Sequence, residues 1–275
     1  MSETINSGAV TLVGAGKMGL ALLEGWSAHG LFGDRVTIVE PSASPRLSDL
    51  CEERGYTLTD SAAGLPAPAA LVLAIKPQML DAAAPALQAL AGADTLVVSI
   101  LAGKRIADLA ARLPSVSAFV RAMPNTPASI GRGVTGAYAN AATNAAKRET
   151  AQRLLEAAGA VEWVDSESLI DSVTAVSGSG PAYVFYLAEC LAEAGVEAGL
   201  PLDLAMRLAR ATVAGAGELL HRSPEIPAKT LRENVTSPGG TTAAALDVLM
   251  QDDGLAPLFK RAVAAAKRRA GELSG

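Results

Sequence analysis

The feature that most restricts the fold is a set of short, almost wholly apolar runs separated by helix-length segments. Val10–Val13, Val36–Val39, 71–75 and 96–100 consist mainly of Val, Leu, Ile and Ala. Runs of this kind suit parallel strands covered on both faces, because a strand open to water on one side alternates polar and apolar residues. The intervening segments 17–29, 46–54 and 78–90 have the length of helices. Further strand signals lie at 117–121, 134–138 and 161–164. The alternation predicts an α/β, doubly wound sheet. Past Asp165 the strand signal stops. Helices are expected at 182–198, 202–220, 241–250 and 255–270, with Pro201 where a first helical turn tolerates it. The expected division is a dinucleotide-binding domain over 1–165 and an all-α domain over 166–275. The 182–198 helix is apolar around most of its circumference, so it is expected to be buried in a core or between subunits.

The first apolar run leads into Gly14-Ala15-Gly16-Lys17-Met18-Gly19 and then a helical segment. A lone G-x-G-x-x-G is weak, but strand before and helix after is the context a dinucleotide fingerprint requires. Gly14 permits the tight turn, Gly16 lets backbone approach a pyrophosphate, and Gly19 lets helix pack on strand. The plain alternative is a glycine-rich turn with no ligand. Glu40 ends the second run, about 20 residues past the last glycine, where an acid accepts from the ribose hydroxyls of NAD. Ser42, Ser44 and Arg46 follow it and together suit a 2′-phosphate. A carboxylate roughly 4 Å from that phosphate costs about 1 kcal/mol per charge in water and up to about 4 near a protein surface. NADH and NADPH both stay open, with a lean towards dual use.

Composition excludes several classes. The chain of 275 residues has a net charge of −5, against the basic footprint of a nucleic-acid binder. Lys260, Arg261, Lys267, Arg268 and Arg269 read as the solvated face of a last helix. The two cysteines, Cys51 and Cys190, stand in no metal-ligand spacing and make no disulfide framework. No metal is expected. A reducing, cytoplasmic setting is expected, with no secretory leader and no membrane span.

Four segments go beyond pattern: Ala74-Ile-Lys76-Pro77-Gln, Val120-Arg-Ala-Met-Pro-Asn125-Thr-Pro, Ala175-Val-Ser-Gly-Ser-Gly-Pro-Ala182, and Leu231-Arg-Glu-Asn-Val-Thr236-Ser-Pro-Gly-Gly-Thr-Thr242 with Ala-Ala-Ala-Leu-Asp after it. In this order they resemble the pyrroline-5-carboxylate reductase family over essentially the whole chain. T-S-P-G-G-T-T is the most specific part. The resemblance implies a Rossmann domain followed by a helical dimerisation domain, with dimers that assemble further, often into decamers. It implies NAD(P)H-dependent reduction of 1-pyrroline-5-carboxylate to L-proline, the last step of proline biosynthesis.

The resemblance also implies site residues. Cofactor contacts fall on Gly14, Gly16, Lys17, Met18, Gly19, Ala74, Lys76, Pro77 and Asn125, beside Glu40 and Ser42 from the fingerprint. Substrate contacts fall on Gly239, Gly240, Thr241 and Thr242, in a segment that the partner subunit contributes to the site. Thr242 and Glu225 are the expected catalytic residues, Glu225 falling at the family position near the substrate nitrogen. Where Glu40 stands, the family often has a small hydroxyl residue.

The chemistry fits these residue types. Hydride addition to a C=N carbon needs geometry and electrostatics from the protein, and solvent can protonate the imine nitrogen. No dedicated histidine acid is required. Pro238-Gly-Gly-Thr-Thr reads as a turn into a helix start, whose backbone N–H groups suit a carboxylate. The plain alternative for Thr241 and Thr242 is N-capping. His29 and His221 read as surface or capping residues, and Trp26 and Trp163 as packing residues.

Three rivals remain. A β-hydroxyacid dehydrogenase has a similar layout, but that family uses a lysine on the helix opening its second domain. Here no lysine occurs between Lys147 and Lys229. A reductase of the six-membered imine homologue differs only in pocket volume. A non-catalytic nucleotide sensor would share the fold, and the intact T-S-P-G-G-T-T segment argues against it.

Overall fold

The structure is a computed structural model and describes residues 8–30 and 35–274. The apolar runs form strands β1 (Val10–Val13) and β2 (Val36–Val39), a three-residue β3 (Thr57–Thr59), then β4 (Ala70–Leu73), β5 (Leu96–Ser99), β6 (Ala118–Met123), β7 (Gly133–Ala139) and β8 (Gly159–Trp163). Among the described residues they make one sheet in the order β3-β2-β1-β4-β5-β6-β7-β8. Strand order reverses at β1, which pairs in parallel with both β2 and β4.

Side-chain alternation along these strands fills two cores. Leu12, Ile38, Val72 and Val98 point to one face, with Leu22 and Trp26. Val13, Leu71, Leu73, Val97 and Phe119 point to the other. Both faces being covered is why the runs carry so few polar residues. The β6–β7 pair is antiparallel, against the expectation of continuous βαβ winding. The link between them, residues 124–132, holds only a short 3-10 turn at Thr126–Ile130. A parallel return needs a longer crossover, usually through a helix.

Helices α1 (Lys17–Ala28), α2 (Pro45–Arg54), α3 (Leu80–Leu90), α4 (Ile106–Arg112), α5 (Ala145–Glu156) and α6 (Leu169–Val173) flank these strands in sequence. The ends of α2 are encoded locally. The Ser44 hydroxyl accepts from Leu47 N at 3.3 Å, Pro45 opens the first turn, and Gly55 closes it with φ of 70°. Then come α7 (Gly180–Glu197), α8 (Leu202–Arg222), α9 (Ala228–Asn234), α10 (Thr241–Leu249) and α11 (Leu255–Leu273).

The chain forms two compact units. One takes the chain up to Gly178 and resumes at Lys267; the other is Ser179–Ala266. In the first, Arg121 on β6 is only 4% exposed. Its guanidinium lies 3.4 Å from Glu167, 3.3 Å from Asp171 and 3.4 Å from the Ser274 hydroxyl. Glu167 also accepts from Ile106 N at 2.7 Å. Gly103, with φ of 71°, lies so close to the end of α11 that a Cβ there would stand 2.7 Å from Leu273 O. This corner of the sheet unit therefore incorporates the last turn of α11.

The second unit is built differently. Helices α7 and α8 pack against each other, and a Cβ on Gly195 would lie 3.2 Å from Ala205 Cβ. Among its described residues the buried hydrophobic ones are Ala192, Ala205 and Ala209. Phe185 is 62% exposed and Tyr186 65%, with Val184, Leu187 and Leu191 also open. Of the two expected covers, a core of its own chain or a second subunit, its own chain buries little of this helix. One face of it rests on α8, Tyr183 meets the Phe259 ring of α11 edge to face, and Phe185 and Tyr186 stay open among the described residues. No helix among the described residues is long and apolar enough to cross a membrane.

Candidate functional site

The turn from β1 into α1 sits at the point of strand-order reversal, where ligands collect in such sheets. Gly14 has φ of 90°, which L side chains rarely adopt, and its N–H donates to Val39 O at 2.9 Å. A Cβ there would stand 2.8 Å from Ala74 backbone. A Cβ on Gly19 would fall onto Gly14 O. These two glycines are thus demanded by the protein itself. Gly16 is not: a Cβ there meets nothing within 4 Å. It would project into open space beside the turn, where a ligand's phosphates fit. Gly16 caps α1 with no side-chain bond, and no acid occupies the first turn. The first N–H groups and positive end of α1 are left for an anion.

A cleft of about 500 Å³ opens beside this turn. Its lining includes Gly14, Gly16, Glu40, Ser42, Ala74 and Lys76 of the expected cofactor residues. Met79 and Leu87 supply part of an apolar wall, and Asp60, which follows β3, adds a carboxylate that the sequence reading missed. Lys17, Met18, Gly19, Pro77 and Asn125 do not line the cleft. The glycine turn and the strand ends thus fit a dinucleotide: an open cradle for phosphates, an acid at the end of β2, and an apolar side.

Asn125 is 8% exposed and committed to backbone. Its Nδ2 donates to Ser177 O at 3.1 Å, and its Oδ1 accepts from Val134 N at 2.9 Å. It ties the start of the 124–132 link to β7 and to the π-helical turn Thr174–Gly178. His29 ends α1 with Nδ1 2.8 Å from Gly25 O. Trp26 is buried and donates to Leu154 O at 2.8 Å. Trp163 is half-buried with Arg148 stacked over its ring at 4.3 Å.

In the helical unit, Gly239, Gly240, Thr241 and Thr242 come together as a turn and helix start. Gly239 has φ of 67°, and Gly240 N donates to Ser237 O at 3.0 Å. The N-cap of α10 is Gly240, with no side-chain bond and no acid in the first turn. The N-capping alternative for Thr241 and Thr242 therefore fails: both stand inside the helix and neither hydroxyl caps it. Thr242 is half-buried and Thr241 exposed. Glu225 is exposed in the connection between α8 and α9. Among the described residues no group of His, Cys, Asp and Glu is placed to hold a metal.

A doubly wound sheet whose first turn is an open anion cradle defines a dinucleotide-binding Rossmann protein. A family model described as pyrroline-5-carboxylate reductase dimerisation matches residues 167–273. One described as NADP oxidoreductase, coenzyme F420-dependent, matches residues 9–103. The pyrroline-5-carboxylate reductase of Pseudomonas aeruginosa is 40% identical over 266 residues, covering 96% of each chain. Among solved structures, a pyrroline-5-carboxylate reductase from Coxiella burnetii superposes with a TM-score of 0.91 at 36% identity, covering 98% of this chain and 100% of that one. A pyrroline carboxylate reductase from Plasmodium falciparum, solved with NADP bound, gives 0.79 at 27% identity, covering 98% and 99%. The chain belongs to the pyrroline-5-carboxylate reductase family.

Proposed function

We propose that the protein reduces 1-pyrroline-5-carboxylate to L-proline with a reduced nicotinamide dinucleotide, the last step of proline biosynthesis. The observation that carries this reading is the glycine turn, open at Gly16, in a chain of which 96% aligns with a member of the family. A nicotinamide dinucleotide bound in the cleft supplies the hydride. The residues of this chain bind and orient. The α1 N–H groups and Gly16 take the pyrophosphate, Glu40 and Ser42 border the adenosine ribose, and Ala74 and Lys76 flank the β4 end of the cleft. Lys17, Met18, Gly19 and Pro77 shape the turns on either side. Asn125 holds the loop beyond β6 in place.

The start of α10 suits the substrate carboxylate, because its free N–H groups converge past two glycines. The Thr242 hydroxyl hydrogen-bonds the ring nitrogen, accepting from it when it is protonated. Protonation draws electron density from the C=N carbon, which then accepts the hydride, and the nitrogen keeps the proton as the amine. Glu225, as the family resemblance implies, stands near that nitrogen. In this reading the partner subunit brings the 239–242 segment, so the working form is a homodimer able to build decamers. Residues 1–165 serve the cofactor, and 166–275 serve dimerisation and substrate. The two free cysteines suit a cytoplasmic setting.

The test follows loss of reduced-nicotinamide absorbance with 1-pyrroline-5-carboxylate, and separately with the six-membered imine homologue. Turnover dependent on the five-membered imine is expected. Dinucleotide binding with no turnover of either imine would reject the reading.

A further inference from the structure

Resting on the reading of the cleft as a nicotinamide-dinucleotide site, the structure also carries a choice between the two dinucleotides. They differ in one group, a 2′-phosphate on the adenosine ribose with about −1.5 to −2 charges at neutral pH. In doubly wound sheets that ribose lies at the end of β2. Glu40 stands there, and its carboxylate is tied on both sides. Oε2 accepts from Ala15 N, in the glycine turn, at 2.8 Å. Oε1 accepts from Ser42 N, in the loop leaving β2, at 3.0 Å. Swinging the side chain out of the cleft would forfeit both bonds. An ionised carboxylate has further lone pairs, so Glu40 can also accept from ribose hydroxyls while it stays tied.

Two of the three groups that would offset a phosphate, Ser44 and Arg46, are engaged elsewhere. Arg46 on α2 pairs with Glu24 on α1, its Nε donating at 3.0 Å and its terminal nitrogen also bonded. The Ser44 hydroxyl is the cap of α2. Neither residue lines the cleft. The charged side chains that do are Glu40, Asp60 and Lys76. Sheet order sorts them: Glu40 and Asp60 follow β2 and β3 on one side of β1, and Lys76 follows β4 on the other. Among the described residues that line it, the ribose side of the cleft thus presents two carboxylates and no cation.

We infer that Glu40, backed by Asp60, makes this cleft select the dinucleotide with a free 2′-hydroxyl, NADH, over its 2′-phosphorylated counterpart. The sequence leans towards dual use because Ser42, Ser44 and Arg46 stand together in the chain. In three dimensions Ser44 caps α2, and Arg46, on an exposed pair with Glu24, stands outside the cleft lining.

Calorimetric titration of the full, assembled chain tests this without turnover. The probes are NADH and NADPH, with adenosine 5′-monophosphate and adenosine 2′,5′-bisphosphate to isolate the ribose contact. NADH is expected to bind at least about tenfold more tightly than NADPH, the factor given by roughly 1.4 kcal/mol of repulsion. The two adenosine probes should differ in the same sense. Glu40→Ser should close or invert the gap, and Glu40→Gln, which removes the charge but keeps an acceptor, should raise NADPH affinity if the serine variant does not fold. Wild-type affinity for NADPH equal to or above that for NADH overturns the inference. Binding of neither dinucleotide overturns the reading of the site itself, and the selectivity falls with it, so the two failures are distinct.

Discussion

The sheet unit and the helical unit solve the burial problem in opposite ways. In the first, strands with both faces covered bury Leu12, Ile38, Leu71 and Phe119 almost completely, and even the charge of Arg121 finds partners inside the chain. In the second, α7 carries large apolar side chains that its own chain leaves open, and the buried residues are alanines at a helix contact. The sheet unit buries its large apolar side chains in two cores of its own, whereas the helical unit leaves Phe185, Tyr186 and their neighbours open, and soluble monomers rarely expose contiguous apolar patches of more than a few hundred Å². The lesson is that an all-round apolar helix announces burial without saying by what.

The strongest way to break this contrast is to put a charge on the uncovered helix. Phe185→Glu is expected to weaken dimerisation on the order of 100-fold or more, as loss of a central aromatic anchor does. Light scattering should then find monomers. Dimers of unchanged strength would move the assembly surface elsewhere. The matching change in the sheet unit is Arg121→Met, which leaves Glu167 and Asp171 without their cation. Because both acids are only partly buried, the cost is about 1–3 kcal/mol. Urea unfolding should register that loss as a lower midpoint, and an unshifted midpoint would show that the network contributes nothing.

Next in size is Thr242→Ala. We expect kcat/KM for the imino acid to fall by the equivalent of roughly 1–3 kcal/mol, with cofactor affinity retained. Wild-type kcat/KM would remove the hydroxyl from the reaction. Gly16→Ala sharpens the difference between glycines that serve the fold and one that serves a ligand. Its Cβ meets nothing in the protein, so Tm should stay within a degree or two, while dinucleotide affinity drops about tenfold. Gly14→Ala, with its positive φ and its contact on Ala74, should lower Tm instead.

The smallest effect concerns pH. Burial pushes Tyr56 from 10.0 up to about 12. The folded state favours the neutral phenol, so this contribution is whole below pH 10 and is lost as pH rises from 10 to 12. Tyr56→Phe should flatten the alkaline limb of a stability profile, and an unchanged limb would assign it to other groups.

The parts of the fold visible in the sequence are those where local pattern and final environment agree. β1, β2, β4 and β5 are apolar because both faces are covered, so their runs stand out. Helix α5 was missed because its buried side is only Ala151, Leu154 and Leu155 in an otherwise charged stretch. β3 was missed because three residues at a sheet edge carry no period. The glycine turn is legible since its demands are backbone demands. Asp60 is not, because nothing around it marks the edge strand that carries it to the cleft. Arg121 is least legible of all. It sits in an apolar strand, and its acidic partners lie 46 and 50 residues further on, with no local signal linking them.

The return of α11 to the Arg121 corner has a consequence for the order of synthesis. A nascent chain that has emerged as far as Gly178 holds every described strand of the sheet, yet the Ser274 hydroxyl that completes the Arg121 network and the Leu273 carbonyl that Gly103 packs against follow only after the whole of the second unit. The sheet unit is thus discontinuous in sequence, and its guanidinium corner is sealed only once residues 273 and 274 have joined it.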